Sequence, residues 1–136
     1  MKSEPGIVVE RLKDAINGGD LEALVGCFAA DVESMHPTHP ARTFRGREQV
    51  RRNWTQFLGG VPDLRAELLG STGEGDTTWS EWHWRGTRRD GAPFEMRGVT
   101  IQRVLGDTIS SVRFYMEPVE HGGGDVAATL AEQVGP

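Results

Sequence analysis

Apolar residues recur at helical spacing in the first half of the chain and at alternate positions through most of the second. From Ile7 to Asn17, the residues Val8, Leu12, Ala15 and Ile16 share one helical face, and Gly18-Gly19 supplies a stop where positive φ is often needed. Asp20 is placed to cap a second helix with the apolar face Leu21, Leu24, Val25 and Phe28. A third helix, from about Arg47 to Leu58, carries Val50, Trp54, Phe57 and Leu58 on one side and ends at Gly59-Gly60. Between the second and third helices, Val32 to His36 reads as a strand. Pro37-Thr38-His39-Pro40 breaks it, since two prolines cannot continue a central ladder.

Beyond Gly60 the period changes from helical to alternating. Leu64 to Gly70, Thr77 to Arg85, Pro93 to Leu105 and Ile109 to Glu117 read as strands. The turn signals Gly73-Glu74-Gly75-Asp76, Asp90-Gly91 and Gly106-Asp107 separate them, which predicts a hairpin-connected antiparallel meander. On the second of these strands Thr78, Ser80, Trp82 and Trp84 share one face, against Trp79, Glu81, His83 and Arg85 on the other. On the last, Val112, Phe114 and Met116 oppose Ser111, Arg113, Tyr115 and Glu117. One sheet face is aromatic and the other carries mixed charge; Arg97 and Arg103 extend the charged set, as an outer face or dimer surface. Helices followed by a run of strands predict an α+β domain with helices on one face of the sheet, over residues 1–120. Gly122-Gly123-Gly124 then hinges a tail, residues 121–136, in which Val126 to Val134 is either helical or disordered.

Composition narrows the function classes. A chain of 136 residues fits one domain, and 20 acidic against 15 basic residues give a net charge of -5, which provides no basic field for nucleic acid or an anionic membrane. No apolar run is long enough to span a bilayer and no secretory signal precedes the first helix, so a cytoplasmic protein is expected. Cys27, the single cysteine, excludes an internal disulfide and a thiolate metal cluster; on a predicted apolar helix face it reads as packing. The scattered glycines form no phosphate-cradling motif, so no cofactor is expected. His36 and His39 lack a third ligand at recognisable spacing, so no metal is expected either.

Five segments, taken in order, resemble the nuclear transport factor two-like superfamily, in particular its SnoaL-like polyketide cyclase and ketosteroid isomerase branches. They are Ile16-Asn17-Gly18-Gly19-Asp20, Phe28-Ala29-Ala30-Asp31, Phe44 to Arg51, Trp84-Arg85-Gly86-Thr87, and Gly106-Asp107-Thr108-Ile109 running on to Tyr115. The resemblance covers about Ile7 to Glu117. It implies a cone-shaped barrel of a strongly curved mixed or antiparallel sheet wrapped around three N-terminal helices. It also implies a pocket on the concave side for a small apolar organic molecule, and a homodimer through the outer sheet face. In that frame Trp54, Trp82, Trp84, Phe114 and Met116 become an aromatic pocket wall, and Thr100 and Gln102 share a face from which to supply hydrogen bonds.

Family site patterns then sort the chemistry. The steroid isomerases' general-base aspartate falls near His36, their oxyanion-hole tyrosine near Leu12 and their protonated acid near Thr100; Leu12 offers no donor. The limonene-type epoxide hydrolases resemble the last strand at Arg113, Tyr115 and Glu117, but the second carboxylate position falls at Glu81 and His83 without the required arginine and aspartate. SnoaL-like cyclases are similar in element order and in a carboxylate ending the last strand, here Glu117. Their cofactor-independent chemistry needs one acid/base group and a shaped pocket. His36, with an ordinary pKa of about 6.5, and Glu117 are therefore the candidate proton-transfer residues. For Glu117 the resemblance favours an inward side chain, whereas strict alternation places it outward unless a bulge intervenes. Two functions remain open: a small-molecule enzyme of the cyclase, isomerase or hydrolase type acting on an apolar, polyketide or polycyclic substrate, and a non-catalytic ligand-binding or dimerisation module.

Overall fold

Capping chemistry builds the first corner. In a computed structural model, which describes residues 4–135, α1 (Glu4–Asn17) ends where the Asp20 N–H reaches back to Ala15 O at 3.0 Å and Gly19 takes φ +62°. Asp20 then accepts from the Ala23 N–H and caps α2 (Leu21–Val25). This helix is shorter than its apolar pattern predicts. Gly26 closes it, the Ile109 N–H donates to Cys27 O at 2.8 Å, and Phe28 opens strand β1 (Phe28–Met35) instead of prolonging the helix. Cys27 is fully buried, and burial pushes its thiol pKa up, which suits packing rather than reaction.

A single 3-10 turn at Pro40–Arg42 and the two-residue β2 (Phe44–Arg45) lead into α3 (Arg47–Gly60). Strands β3 (Arg65–Glu74), β4 (Thr77–Thr87), β5 (Pro93–Leu105) and β6 (Thr108–Pro118) form the predicted antiparallel hairpins. β3 runs past Gly70 because a bulge between Leu68 and Gly70 keeps the pairing going, and the first turn contracts onto Gly75 and Asp76. Of the two readings of the tail, the chain adopts the helical one: α4 (Val126–Val134) is capped by Asp125. No helix among the described residues is long and apolar enough to cross a membrane.

The strands form one mixed sheet in the order β2-β1-β6-β5-β4-β3. β1 runs parallel to β6, so the meander accounts for β3 to β6 and the N-terminal strand joins at its far side. The sheet curves without closing, leaving β2 and β3 as edges. Its inner face packs on α1 through Val8, Val9, Leu12 and Ile16 and on α3 through Val50 and Trp54, in one cluster with Trp82, Trp84 and Ile109. Asn17 fastens the end of α1 to the edge strand: its side chain donates to Ala66 O at 3.0 Å and accepts from Ala66 N–H at 2.6 Å, as a neighbouring strand would.

One residue permits the close approach of β5 and β6. Gly98 sits at φ +150°, and a Cβ there would lie 2.2 Å from Tyr115 O and 2.7 Å from Met116 Cα. A glycine inside a strand pattern marks such a close backbone approach. Gly98→Ala is therefore expected to lower the unfolding free energy by about 2–4 kcal/mol, from backbone strain and overpacking together. Urea denaturation of the variant beside the parent chain measures it.

Candidate functional site

The concave sheet face and the helices enclose a cavity of about 150 Å³. That matches the size of apolar cavities known to admit a benzene molecule, so the enclosed space suits one ring or the end of a larger molecule. Leu12 of α1, Val50, Trp54 and Phe57 of α3, and Trp82 and Trp84 of β4 supply apolar walls. Trp84 stands edge-on to Trp54 at 5.3 Å and to Trp82 at 6.1 Å between ring centroids, an arrangement that aromatic quadrupoles favour.

Strand register arranges the polar groups of the floor in two rows. Ser34 pairs with Val112, which pairs with Gln102. In the next row Phe114 pairs with Thr100, and the His36 ring lies against the Phe114 ring at 4.9 Å. Polar side chains of β1 and β5 thus flank the apolar residues of β6. Neighbouring strands lie about 4.8 Å apart, so the flanking backbones are separated by about 10 Å.

Most of these polar groups have defined partners. The Trp82 Nε1–H donates to Thr100 Oγ1 at 2.8 Å, and Gln102 Nε2 donates to Thr78 O at 3.1 Å and Ser80 Oγ at 2.9 Å. Asn53 accepts from Gln49 through Oδ1 at 2.7 Å. Ser34, 6% exposed, lines the cavity, and among the described residues its hydroxyl has no hydrogen-bond partner. The Trp84 Nε1–H is likewise buried and unpaired among them.

His36 is half-buried on the cavity wall. Burial, more than any other cause, pushes its pKa below the ordinary 6.5; the positive charges of Arg42 and His39 act in the same direction, and Glu117 opposes them. At neutral pH its imidazole is neutral and offers a basic nitrogen to the cavity.

The other sequence candidates are placed as follows. Trp54, Trp82, Trp84, Thr100, Gln102 and Phe114 line the cavity with His36. Met116 is buried but belongs to the core beneath, against the Gly98 backbone, and is not a lining residue. Glu117 is exposed and outside the cavity, with Oε1 2.7 Å from His39 Nε2. The pairing of Glu117 with Arg97 is in unbroken register and the β5–β6 irregularity lies at the other end, by Arg103, so alternation prevails over the inward orientation. His83 faces away from the cavity and bonds Glu95 at 2.5 Å, which leaves the epoxide-hydrolase alternative of Glu81 and His83 on the outer face. Among the described residues no cluster of three or more His, Cys, Asp or Glu side chains could hold a metal ion.

The sequence reading passed over Ser34, Asn53, Phe44 and Phe57 as cavity residues. A signal existed for Ser34, two residues before His36 on the same strand face, and for Phe57, three residues after Trp54 on the same helix.

Comparison with known proteins adds a family. A model of the SnoaL-like domain matches residues 9–112. No curated protein matches the chain. Among solved structures, IdmH of Streptomyces antibioticus, described as a candidate polyketide cyclase, is 24% identical with a TM-score of 0.71, covering 98% of this chain and 100% of its own. A loop-truncation variant of IdmH is 27% identical with a TM-score of 0.69, over 96% of this chain and 99% of that one. RV0760c of Mycobacterium tuberculosis, in complex with estradiol-17β-hemisuccinate, is 18% identical with a TM-score of 0.71, over 82% of this chain and 92% of its own.

The surroundings of His36 give an expected titration. Its imidazole should titrate with a midpoint below 6.5, lower still in Glu117→Gln and higher in Arg42→Ala, as followed by NMR of the ring protons. Between the depressed folded value and 6.5 the unfolded chain binds the additional proton. The stability owed to neutral His36 is therefore complete above pH 6.5 and is lost as the pH falls through the folded value.

Proposed function

The chain belongs to the SnoaL-like domain family, and we propose that it is a small-molecule enzyme without a cofactor, with His36 as general base on a largely apolar, ring-bearing substrate. The observation that carries this is a half-buried imidazole on the wall of an apolar cavity, its pKa pushed down by that burial. Desolvation keeps its nitrogen unprotonated near neutrality, and a fixed cavity replaces the random encounter of base and substrate. Glu117 has the supporting part in this reading. From outside the cavity its charge raises the basicity of His36 without touching the ligand. The candidate cyclase assignment of IdmH and the steroid ester held by RV0760c support a cyclic, oxygenated ligand of the polyketide or polycyclic kind. A cavity of about 150 Å³ takes one ring of such a molecule, and the remainder lies toward the opening.

A homodimer through the outer sheet face is part of the same proposal. Trp79 is 50% exposed there, and Tyr115 is also exposed among charged neighbours. An aromatic centre with a charged rim is the composition of an interface.

Elimination of 5-nitrobenzisoxazole tests the base directly. The base takes the ring C–H proton, the N–O bond breaks, and the coloured cyanophenolate forms. The chain should accelerate this reaction over buffer, and His36→Asn should lose roughly 10²–10⁴-fold in rate. The rate of the parent chain should rise with pH through a midpoint below 6.5. Binding of the probe by the parent chain without acceleration over buffer favours the ligand-binding module instead, and undiminished turnover in His36→Asn removes His36 as the base. For the dimer, sedimentation should show two copies for the parent chain and one for Trp79→Glu.

A further inference from the structure

We propose that the cavity selects ligands carrying a hydroxyl group, phenolic or enolic, and that the carbonyl oxygen of Gln102 accepts the hydrogen bond from it. The proposal rests on the cavity being a ligand site, as argued above, and adds the polarity of the group that site requires.

Gln102 is 2% exposed and lines the cavity. Which end of its amide is nitrogen follows from its partners. One bond goes to Thr78 O, a backbone carbonyl that can only accept, so the atom facing it must be Nε2. The same nitrogen donates to Ser80 Oγ, which commits both of its hydrogens. Oε1 is left without a partner among the described residues. Oε1 is not among the fully buried orphan atoms, so on this cavity-lining residue it keeps accessible surface where a donor can reach it and gain a hydrogen bond.

The chemistry of the donor is narrowed by the rest of the wall. Among the described residues no carboxylate lines the cavity, so an ammonium group placed there would be buried without a counter-charge from them. A ketone, an ether or a carboxylate would set lone pairs against the lone pairs of Oε1. A neutral donor remains, an O–H or an N–H, and the oxygenated ligand class proposed above makes it a hydroxyl. The other polar groups ask for different things: the unpaired Trp84 Nε1–H calls for an acceptor, which a hydroxyl oxygen can also be, Ser34 can donate or accept, and Thr100 already accepts from Trp82. The separation of β1 and β5, about 10 Å at the backbone, lets one six-membered ring lie over β6 with a polar contact toward each side.

The isosteric pair p-cresol and p-xylene provides the test, since the two differ by a hydroxyl in place of a methyl. Both are titrated into the isotope-labelled chain and into Gln102→Leu, followed by NMR. In Gln102→Leu the preference for p-cresol, as the ratio of the two Kd values, should fall about fivefold to tenfold. In the parent chain the Gln102 side-chain amide protons should move downfield with p-cresol and not with p-xylene, a signature that decides the matter even if the variant does not fold. An unchanged ratio, or an equal response of the amide to both compounds, overturns the hydroxyl requirement and leaves the ligand-site reading standing. If neither compound shifts the Trp82 and Trp84 indole signals, the ligand-site reading fails and this proposal falls with it.

Discussion

The pairing of β5 with β6, which carries the cavity floor, depends on the close approach of the two backbones at Gly98. A side chain at that point would collide with the backbone of Tyr115 and Met116, so the strands draw together only because none is present. Gly98 also faces Trp82 across the other ladder, which puts the close approach beside the largest fully buried side chain of the inner face. A backbone approach this close needs a position without a side chain. The helices then close over the concave side, and Asn17 holds the end of α1 against edge strand β3.

Within that shape two demands compete. A stable core wants apolar side chains at full packing density, whereas a working site needs polar groups in the same space. The chain divides the demands by strand. β6 contributes Val112 and Phe114 to the floor, and the polar residues stand on its two neighbours. On β5 the polar groups are tied into the core by the Trp82–Thr100 bond and by the two bonds from the Gln102 amide. On β1 and just beyond it they are not: Ser34 has no partner among the described residues, and the His36 ring, one residue past the strand, lies against Phe114. The β5 side chains are held in place by these bonds, with only the Gln102 Oε1 left open, and the β1 side retains groups with fewer ties.

Much of this was legible in the sequence. The alternation on β4 assigned Thr78, Ser80, Trp82 and Trp84 to the inner face correctly, because a half-buried antiparallel strand leaves a strict two-residue period. The NGGD corner was equally plain, since a positive-φ glycine and an aspartate cap are local requirements. Phe28 was misassigned because its apolar side chain fits a helix face and a strand start alike, and a hydrogen bond from distant Ile109 decides between them. β2 was missed for a similar reason: two residues carry no period, and pairing with Glu33 and Ser34 makes them a strand. For the site, alternation and family resemblance disagreed over Glu117, and the unbroken β5–β6 register upheld alternation. The polarity of Gln102 was beyond reach, because it is set by Thr78 and Ser80 on another strand.

The parallel pairing of β1 with β6 bears on how the site comes into being. The β3 to β6 hairpins join neighbours in sequence, while Phe28 and Ile109 close one of the longest loops in the domain. Local pairs form early and distant ones late, because the entropy of loop closure is lost before the contact repays it. During synthesis, β1 has no parallel partner until β6 has left the ribosome. The side of the floor that carries Ser34 and leads into His36 is therefore complete only when the last strand of the sheet is in position.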